Sequence, residues 1–309
     1  MAIKTEKQPV AKVANYFGIE DQHYTAQESS QVVILPCAYE GDARGTRLGP
    51  KSIYEASLQI ERFDDELWTE PYKIGICSHK ELKPSPAPDI DSSPLQELTE
   101  ALKPLVEIGK FPIVIGGDRA LTIGTVPAYV EKYPNLSVLQ VDAQATCHKT
   151  RAGNQFHHSC TAFQLYNNIL EKPLITQVGV RNISAEEAAW MEENKPQINI
   201  FWARQQDRWN FNDIVATLTD DVYLTIDLDA LDSGIMPSTP STEPGGIGWY
   251  HLTELIKVLC VKKNVVGADI VGLAPIKTLQ APDILAAKLL YKLIGYRFAL
   301  DLGVTKKYL

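Results

Sequence analysis

Three aspartates have the residue type and placement to do chemistry: Asp142 in VDAQATCH at 141–148, and Asp227 and Asp229 in TIDLDALD at 225–232. Each closes an apolar run, and the two-residue spacing of Asp227 and Asp229 puts both carboxylates on one face of a strand. Carboxylates brought together in a cleft repel one another by about 4 kcal/mol per pair at ~4 Å and an effective dielectric near ~20. A cation is therefore expected among them. The plainer alternative leaves each aspartate only a following turn or helix to cap.

The elements that must position these residues alternate along the chain. Runs rich in β-branched residues occur at 31–36 (QVVILP), 111–117 (FPIVIGG), 136–143 (LSVLQVDA), 175–181 (ITQVGVR), 198–203 (INIFWA), 222–230 (VYLTIDLDA) and 265–275 (VVGADIVGLAP). Most are apolar on both faces, as in a parallel sheet covered on each side. Between them lie helix candidates at 93–109, at 184–194 with the capping box Ser184 and Glu187, and from Asp283 to about Gly295. This predicts a three-layer α/β/α sandwich with a doubly wound, mainly parallel sheet. The proline-bearing stretch 80–92 reads as a surface loop. In such sheets function gathers at the carboxyl ends of the strands. That rule selects Gly116 to Arg119, Asp142 to His148, Asp227 to Asp232 and Asp269 to Pro275, each with an acidic residue.

With 309 residues, one domain over 1–309 is expected, residues 1–30 forming an N-terminal extension available for oligomer contact. A net charge of -8 and the lack of a basic stripe argue against nucleic acid. No apolar stretch approaches a membrane span or a signal peptide's core, so a cytoplasmic protein is expected. The five cysteines have no CxxC spacing and an odd total, which makes a disulfide framework unexpected. Cys147 is read as a buried thiol, with a reactive one beside the site as the alternative.

Further motifs occur in a fixed order. They are YEGDARGTRLGPKSIYEAS at 39–57, with Gly45, Arg47, Gly49 and Pro50, FPIVIGGDRALTIG at 111–124, VDAQATCH, IDLDALD, IMPSTPSTEPGG at 235–246 and ADIVGLAP at 268–275. Over nearly the whole chain this series resembles the ureohydrolase superfamily of arginases, agmatinases, guanidinobutyrases and formimidoylglutamases. The resemblance implies two manganese ions sharing a bridging water, whose lowered pKa lets hydroxide attack a guanidinium carbon and release urea. Their ligands come from the histidine of a GGDH strand end, both aspartates and the histidine of DAHxD, and both aspartates of DxD. RAGNQFHHS at 151–159 is similar to the family's substrate loop, which implies substrate contacts from Gly153 and Asn154 and a proton shuttle at His158. Trimers or hexamers, or a hetero-oligomer with an active paralogue, are implied as well, with a small guanidino compound as ligand.

The chain departs from that pattern at four positions. Arg119 and Gln144 stand where the two histidines belong, Thr146 replaces the second aspartate of DAHxD, and Gly272 stands where the family has a glutamate that meets the substrate guanidinium. Arginine has no lone pair to give a metal. The ion that would use positions 119 and 146 loses two ligands. The other would keep Asp142, Asp227 and Asp229, with the Gln144 carbonyl as a further oxygen. Arg119 could instead supply the charge, its planar fork set between Asp142 and Asp227. The expectation is no cofactor, with a single manganese or magnesium ion as the alternative. A non-catalytic relative, acting as a binding module or partner subunit, is expected first. The alternative is a divergent metal-dependent ureohydrolase that hydrolyses a guanidino compound such as agmatine. His148 could reach the centre from its loop, and Arg44 and Arg47 could meet a ligand's carboxylate or form surface ion pairs.

Overall fold

The apolar runs become the strands of one sheet. The computed structural model describes residues 15–84 and 95–309. Its strands are β1 (Val32–Cys37), β2 (Ile76–Ser78), β3 (Phe111–Gly116), β4 (Ser137–Val141), β5 (Ile175–Val180), β6 (Ile198–Trp202), β7 (Asp221–Asp227) and β8 (Asn264–Val271). All pair in parallel, in the order β2-β1-β3-β8-β7-β4-β5-β6. The helices are α1 (Gly49–Ser57), α2 (Gln96–Glu107), α3 (Leu121–Thr125), α4 (Thr161–Gln164), α5 (Ala185–Asn194), α6 (Phe211–Ala216), α7 (Trp249–Lys262) and α8 (Ala281–Arg297).

Both faces of the sheet are buried, which is why the strands lack polar alternation. Along β1, Val32 and Ile34 join the core beneath α1, α6, α7 and α8, while Val33 and Leu35 join the core beneath α2, α3, α4 and α5. Three layers follow, as the sequence predicts. Ser184 and Glu187 close their capping box, the serine hydroxyl accepting from the Glu187 amide and the carboxylate accepting from Ser184. Among the described residues no helix is long and apolar enough to cross a membrane.

Several boundaries differ from expectation for physical reasons. β2 has only three residues at the sheet edge, too few to stand out as a periodic run. β8 stops at Val271 because Gly272 turns the chain with φ 86. β7 stops at Asp227, and Leu228–Ala230 forms a 3-10 turn, so Asp229 reaches the centre from a turn and not along a strand face. Helix α8 begins at Ala281 with Pro282 in its first turn and runs on to Arg297. Of the expected loop at 80–92, residues 85–92 lie outside the described residues, as do 1–14 of the expected N-terminal extension.

The sheet order sets the site. β8 and β7 lie between β3 and β4, so a side chain leaving β3 for β4 must pass over the ends of two strands. The turn after β3 is held down by the Asp118 amide, which donates to the Tyr39 carbonyl at 2.9 Å. Gly117 makes that approach feasible, because a Cβ there would fall 1.9 Å from the same carbonyl oxygen. Gly117→Ala should therefore lower stability by roughly 2–3 kcal/mol through overpacking, measured by urea denaturation; an unchanged midpoint would count against this packing.

Candidate functional site

The three aspartates converge, and Arg119 lies among them. Its Nη1 donates to Asp142 Oδ1 and Oδ2 at 2.6 and 2.7 Å, and its Nη2 to Asp229 Oδ2 at 3.3 Å. Nε lies 2.9 Å from Asp227 Oδ2, an ion pair whose N–H is turned off the hydrogen-bond line. All four side chains are buried, so these pairs escape the screening that weakens surface salt bridges. The fork-like geometry is one that arginine, unlike lysine, can satisfy.

Backbone donors fix the carboxylates. Asp142 Oδ1 accepts from the Gln144 amide at 2.7 Å, Asp227 Oδ1 from the Asp229 amide at 2.9 Å, and Asp229 Oδ1 from the Ala143 amide at 3.1 Å. Sequence reasoning missed two supports. Gln140 donates to Asp142 Oδ2 at 2.8 Å and to Thr146 Oγ1 at 3.0 Å, and its own carbonyl accepts from Gln177 on β5 at 3.1 Å. Arg181, just past β5, donates to the carbonyls of Asp229, Ala230 and Glu243 at 2.8, 3.1 and 2.9 Å, tying the 229–231 turn to the loop before α7. Polar residues inside LSVLQV and ITQVGV, and a basic one at that strand end, were the signals available.

A cavity of about 160 Å³ opens above the centre, lined by Arg119, Asp227, Asp229 and Gly272 below and by Asp42, Gln144, His158 and Ser241 around it. Gln144 reaches its rim, with Nε2 3.4 Å from Ser241 Oγ. Thr146 is turned inward, its hydroxyl accepting from Gln140 and from the Ala162 amide at 3.1 Å. His158 faces the cavity with Nδ1 3.6 Å from Asp118 Oδ2 and no hydrogen-bond partner. Asp118 itself accepts from the amides of Ala43 and Ala120 at 3.2 and 2.8 Å, so it staples the 39–48 loop to the end of β3. Gly153 and Asn154 do not line the cavity, and the Asn154 carboxamide accepts from the Phe156 amide at 2.8 Å in its own turn. His148 lies beside Ser184, Glu186 and Glu187, away from the centre. Arg47 pairs with Glu40 at the surface. Cys147 is buried, and burial pushes its thiol up, which makes it unreactive.

Burial disfavours the Arg119 charge, but Asp142, Asp227 and Asp229 outweigh it and raise the guanidinium's pKa. Burial pushes Asp142 up to about 6, Arg119 opposing and Asp229 adding to the rise. Asp227 is raised as well, by burial and then by Asp229. Beneath the centre Asp269 accepts from Tyr223, Thr225, Thr122 and Thr125 at 2.9, 2.6, 3.1 and 3.2 Å, yet burial still pushes it up to about 6. A carboxyl raised on folding holds its proton more tightly when folded. Its contribution to stability is full below the unfolded value of about 4 and is lost as pH rises through about 6. Asp269→Asn should lack this component, so that its stability relative to the parent improves by roughly 3 kcal/mol between pH 4 and pH 7. Parallel denaturation curves of the two proteins across that range would contradict the assignment.

The donor set does not fit two metal ions, since neither Arg119 nor the inward-turned Thr146 offers a ligand to one of them. One ion fits conditionally. Spread around the rim of the guanidinium, the carboxylates do not close on a point, and among the described residues no group of three His, Cys, Asp or Glu could hold an ion as placed. With Arg119 withdrawn, Asp142, Asp227 and Asp229 would form an oxygen-only set suited to manganese or magnesium.

Comparison with known proteins gives a consistent result. The model of the Arginase family matches residues 30–295. The N(1)-aminopropylagmatine ureohydrolase of Synechocystis is 34% identical over 290 residues, covering 90% of this chain and 92% of that protein. The agmatinase of Pyrococcus horikoshii is 29% identical, covering 87% and 92%. The agmatine ureohydrolase structure from Thermoplasma volcanium superposes with a TM-score of 0.78 at 22% identity, covering 90% of this chain and 93% of that one, a likeness of fold. These matches overturn the expectation that no cofactor is used: relatives similar over nearly their whole length are named as ureohydrolases, in the family whose resemblance implies a manganese centre. The chain belongs to the Arginase family, among its agmatinase-like ureohydrolases.

Proposed function

We propose that this protein hydrolyses a linear guanidino compound whose far end is cationic, such as agmatine or its aminopropyl derivative. The observation that carries the reading is the acidic cavity. Asp227 and Asp229 at its floor outnumber Arg119 beside them, Asp42 stands at its rim 3.4 Å from His157 Nε2, and of the two arginines near the loop at its mouth, Arg47 is already paired with Glu40. Such a cavity favours a dication over a ligand ending in a carboxylate. The 34% identical relative named for aminopropylagmatine supports the same substrate class.

When a divalent ion is bound, it supplies an acidified water for attack on the guanidinium carbon. Asp142, Asp227 and Asp229 would hold it once Arg119 withdraws, with the Gln144 carbonyl as a fourth oxygen. Gln140 keeps Asp142 oriented through its 2.8 Å bond. His158 lines the cavity with its Nδ1 buried beside Asp118, so it would give a proton to the departing amine through Nε2 as the C–N bond breaks.

One observation favours a second reading, that of a non-catalytic guanidino-binding member or partner subunit. The Arg119 guanidinium occupies the space among the acids, and its withdrawal leaves three buried carboxylates to be compensated. The decisive measurement is urea release by the purified protein supplied with manganese or nickel, against agmatine, aminopropylagmatine and arginine, together with its bound-metal content. Urea from the cationic compounds, at least about tenfold faster than from arginine, is expected; tenfold corresponds to about 1.4 kcal/mol of discrimination. No urea from any compound, with less than one ion per chain, would sink the hydrolase and leave the second reading.

A further inference from the structure

Gly272 directly follows β8, which lies between β3, whose following turn carries Arg119, and β7, which ends in Asp227. Its amide donates to the Gly117 carbonyl at 2.8 Å, fixing the β8 end against the turn that launches Arg119. A Cβ built on Gly272 would lie 2.2 Å from Asp227 Oδ1 and 3.0 Å from its carboxyl carbon. Asp227 cannot give way freely, because that same Oδ1 accepts from the Asp229 amide and its Oδ2 faces Arg119 Nε. The present position of the Asp227 carboxylate and any side chain at 272 therefore exclude each other.

We infer that the floor of this centre is a guanidinium receptor whose occupant is supplied in cis by Arg119, and that Gly272 is the positioning residue that admits it, by leaving the space Asp227 needs to complete the receptor. The three carboxylates surround one planar guanidinium: Asp142 accepts from Nη1 with both oxygens, Asp229 accepts from Nη2, and Asp227 lies 2.9 Å from Nε as an ion pair without a hydrogen bond. A spherical ammonium on a flexible stem cannot reproduce those directions. Arg119 and Gly272 are thus a matched pair. The positive φ of Gly272 favours glycine by itself, but the pairing adds a second demand, because with a side chain at 272 the receptor loses one wall.

This inference goes beyond the proposed hydrolase, in which the same carboxylates would hold an ion after Arg119 withdraws, and rests on the contacts made while Arg119 is in place. Its test uses no substrate turnover, so it can fail while urea release succeeds, and the reverse. Arg119→Ala empties the receptor, and free guanidinium ion is the probe. Guanidinium chloride at ~10 mM, compared with sodium chloride at the same concentration, should raise the melting temperature of Arg119→Ala by about 2 °C or more through binding to the folded state. It should not raise that of the parent, whose receptor is filled, nor that of the Arg119→Ala/Gly272→Ala double variant. No shift for Arg119→Ala, or an equal shift for the double variant, overturns the inference. Should Arg119→Ala not fold, the question passes to Arg119→Lys. Gly272→Ala introduces the same backbone strain at positive φ in either background. It should nevertheless lower the folding equilibrium constant at least about threefold less in the Arg119→Lys background than in the parent, since the contact it disrupts is weaker there. Equal losses in the two backgrounds overturn the pairing.

Discussion

The centre depends on one electrostatic constraint: three buried carboxylates that the fold brings to one place need a positive charge among them. Arg119 meets it with a single planar group and three acidic partners. Burying a lone guanidinium would cost several kcal/mol, as would burying any one of the acids unpaired. Together they offset much of that cost, and the remaining lone pairs of the acids are taken by the amides of Ala143, Gln144 and Asp229 and the carboxamide of Gln140. All of these polar groups but the Arg119 Nε–H, which has only its ion pair with Asp227, are therefore satisfied as a set, and removing one member leaves the others exposed to the full desolvation penalty.

Sheet order explains why these residues meet although they lie far apart in sequence. The chain leaves β3, makes β4 beyond a gap, and fills the gap only later with β7 and β8. Residues after β3, β4, β7 and β8 thereby face one crevice, which is where ligands bind in open parallel sheets. The crevice is shaped by close backbone contacts at Gly117 and Gly272 and by the carbonyl grip of Arg181 on the 229–231 turn. Two of the three devices carry no functional group, so the chemistry rests on a scaffold specified by the absence of side chains as much as by their presence.

Much of this was legible in the sequence. Period and apolarity identified seven of the eight strands, because a run buried on both faces differs in composition from any surface element. The three aspartates were identified by type and by their position at strand ends, and Arg119 as their counter-charge by the resemblance, which implies a histidine at its place. What was not legible depended on direction. Asp229 reaches Arg119 through a 3-10 turn, and Asn154 spends its side chain on its own loop, neither of which spacing alone could decide. Gln140 and Gln177 are paired in register on adjacent strands, so each looks like an isolated polar residue until the strands are known to be neighbours.

One guanidinium does not balance three carboxylates. Counting formal charges, the centre keeps two negative charges beyond what Arg119 offsets, and Asp118 and Asp42 add to them near the mouth. Burial and mutual repulsion push Asp142 up to about 6 and raise Asp227, so protonation relieves the excess in mildly acidic solution. Toward neutrality Asp142 ionises and that relief fades, leaving a cavity that is sterically occupied at its floor but still negative above it. A cationic ligand entering beside His158 would then be attracted by the same acids that hold Arg119, and would compete with it for them. The strength of the arginine's hold and the attraction of the cavity for cations have one source. A change that weakens the first, such as the loss of a carboxylate, must weaken the second too, whereas displacement of the guanidinium by an equally charged group leaves it intact.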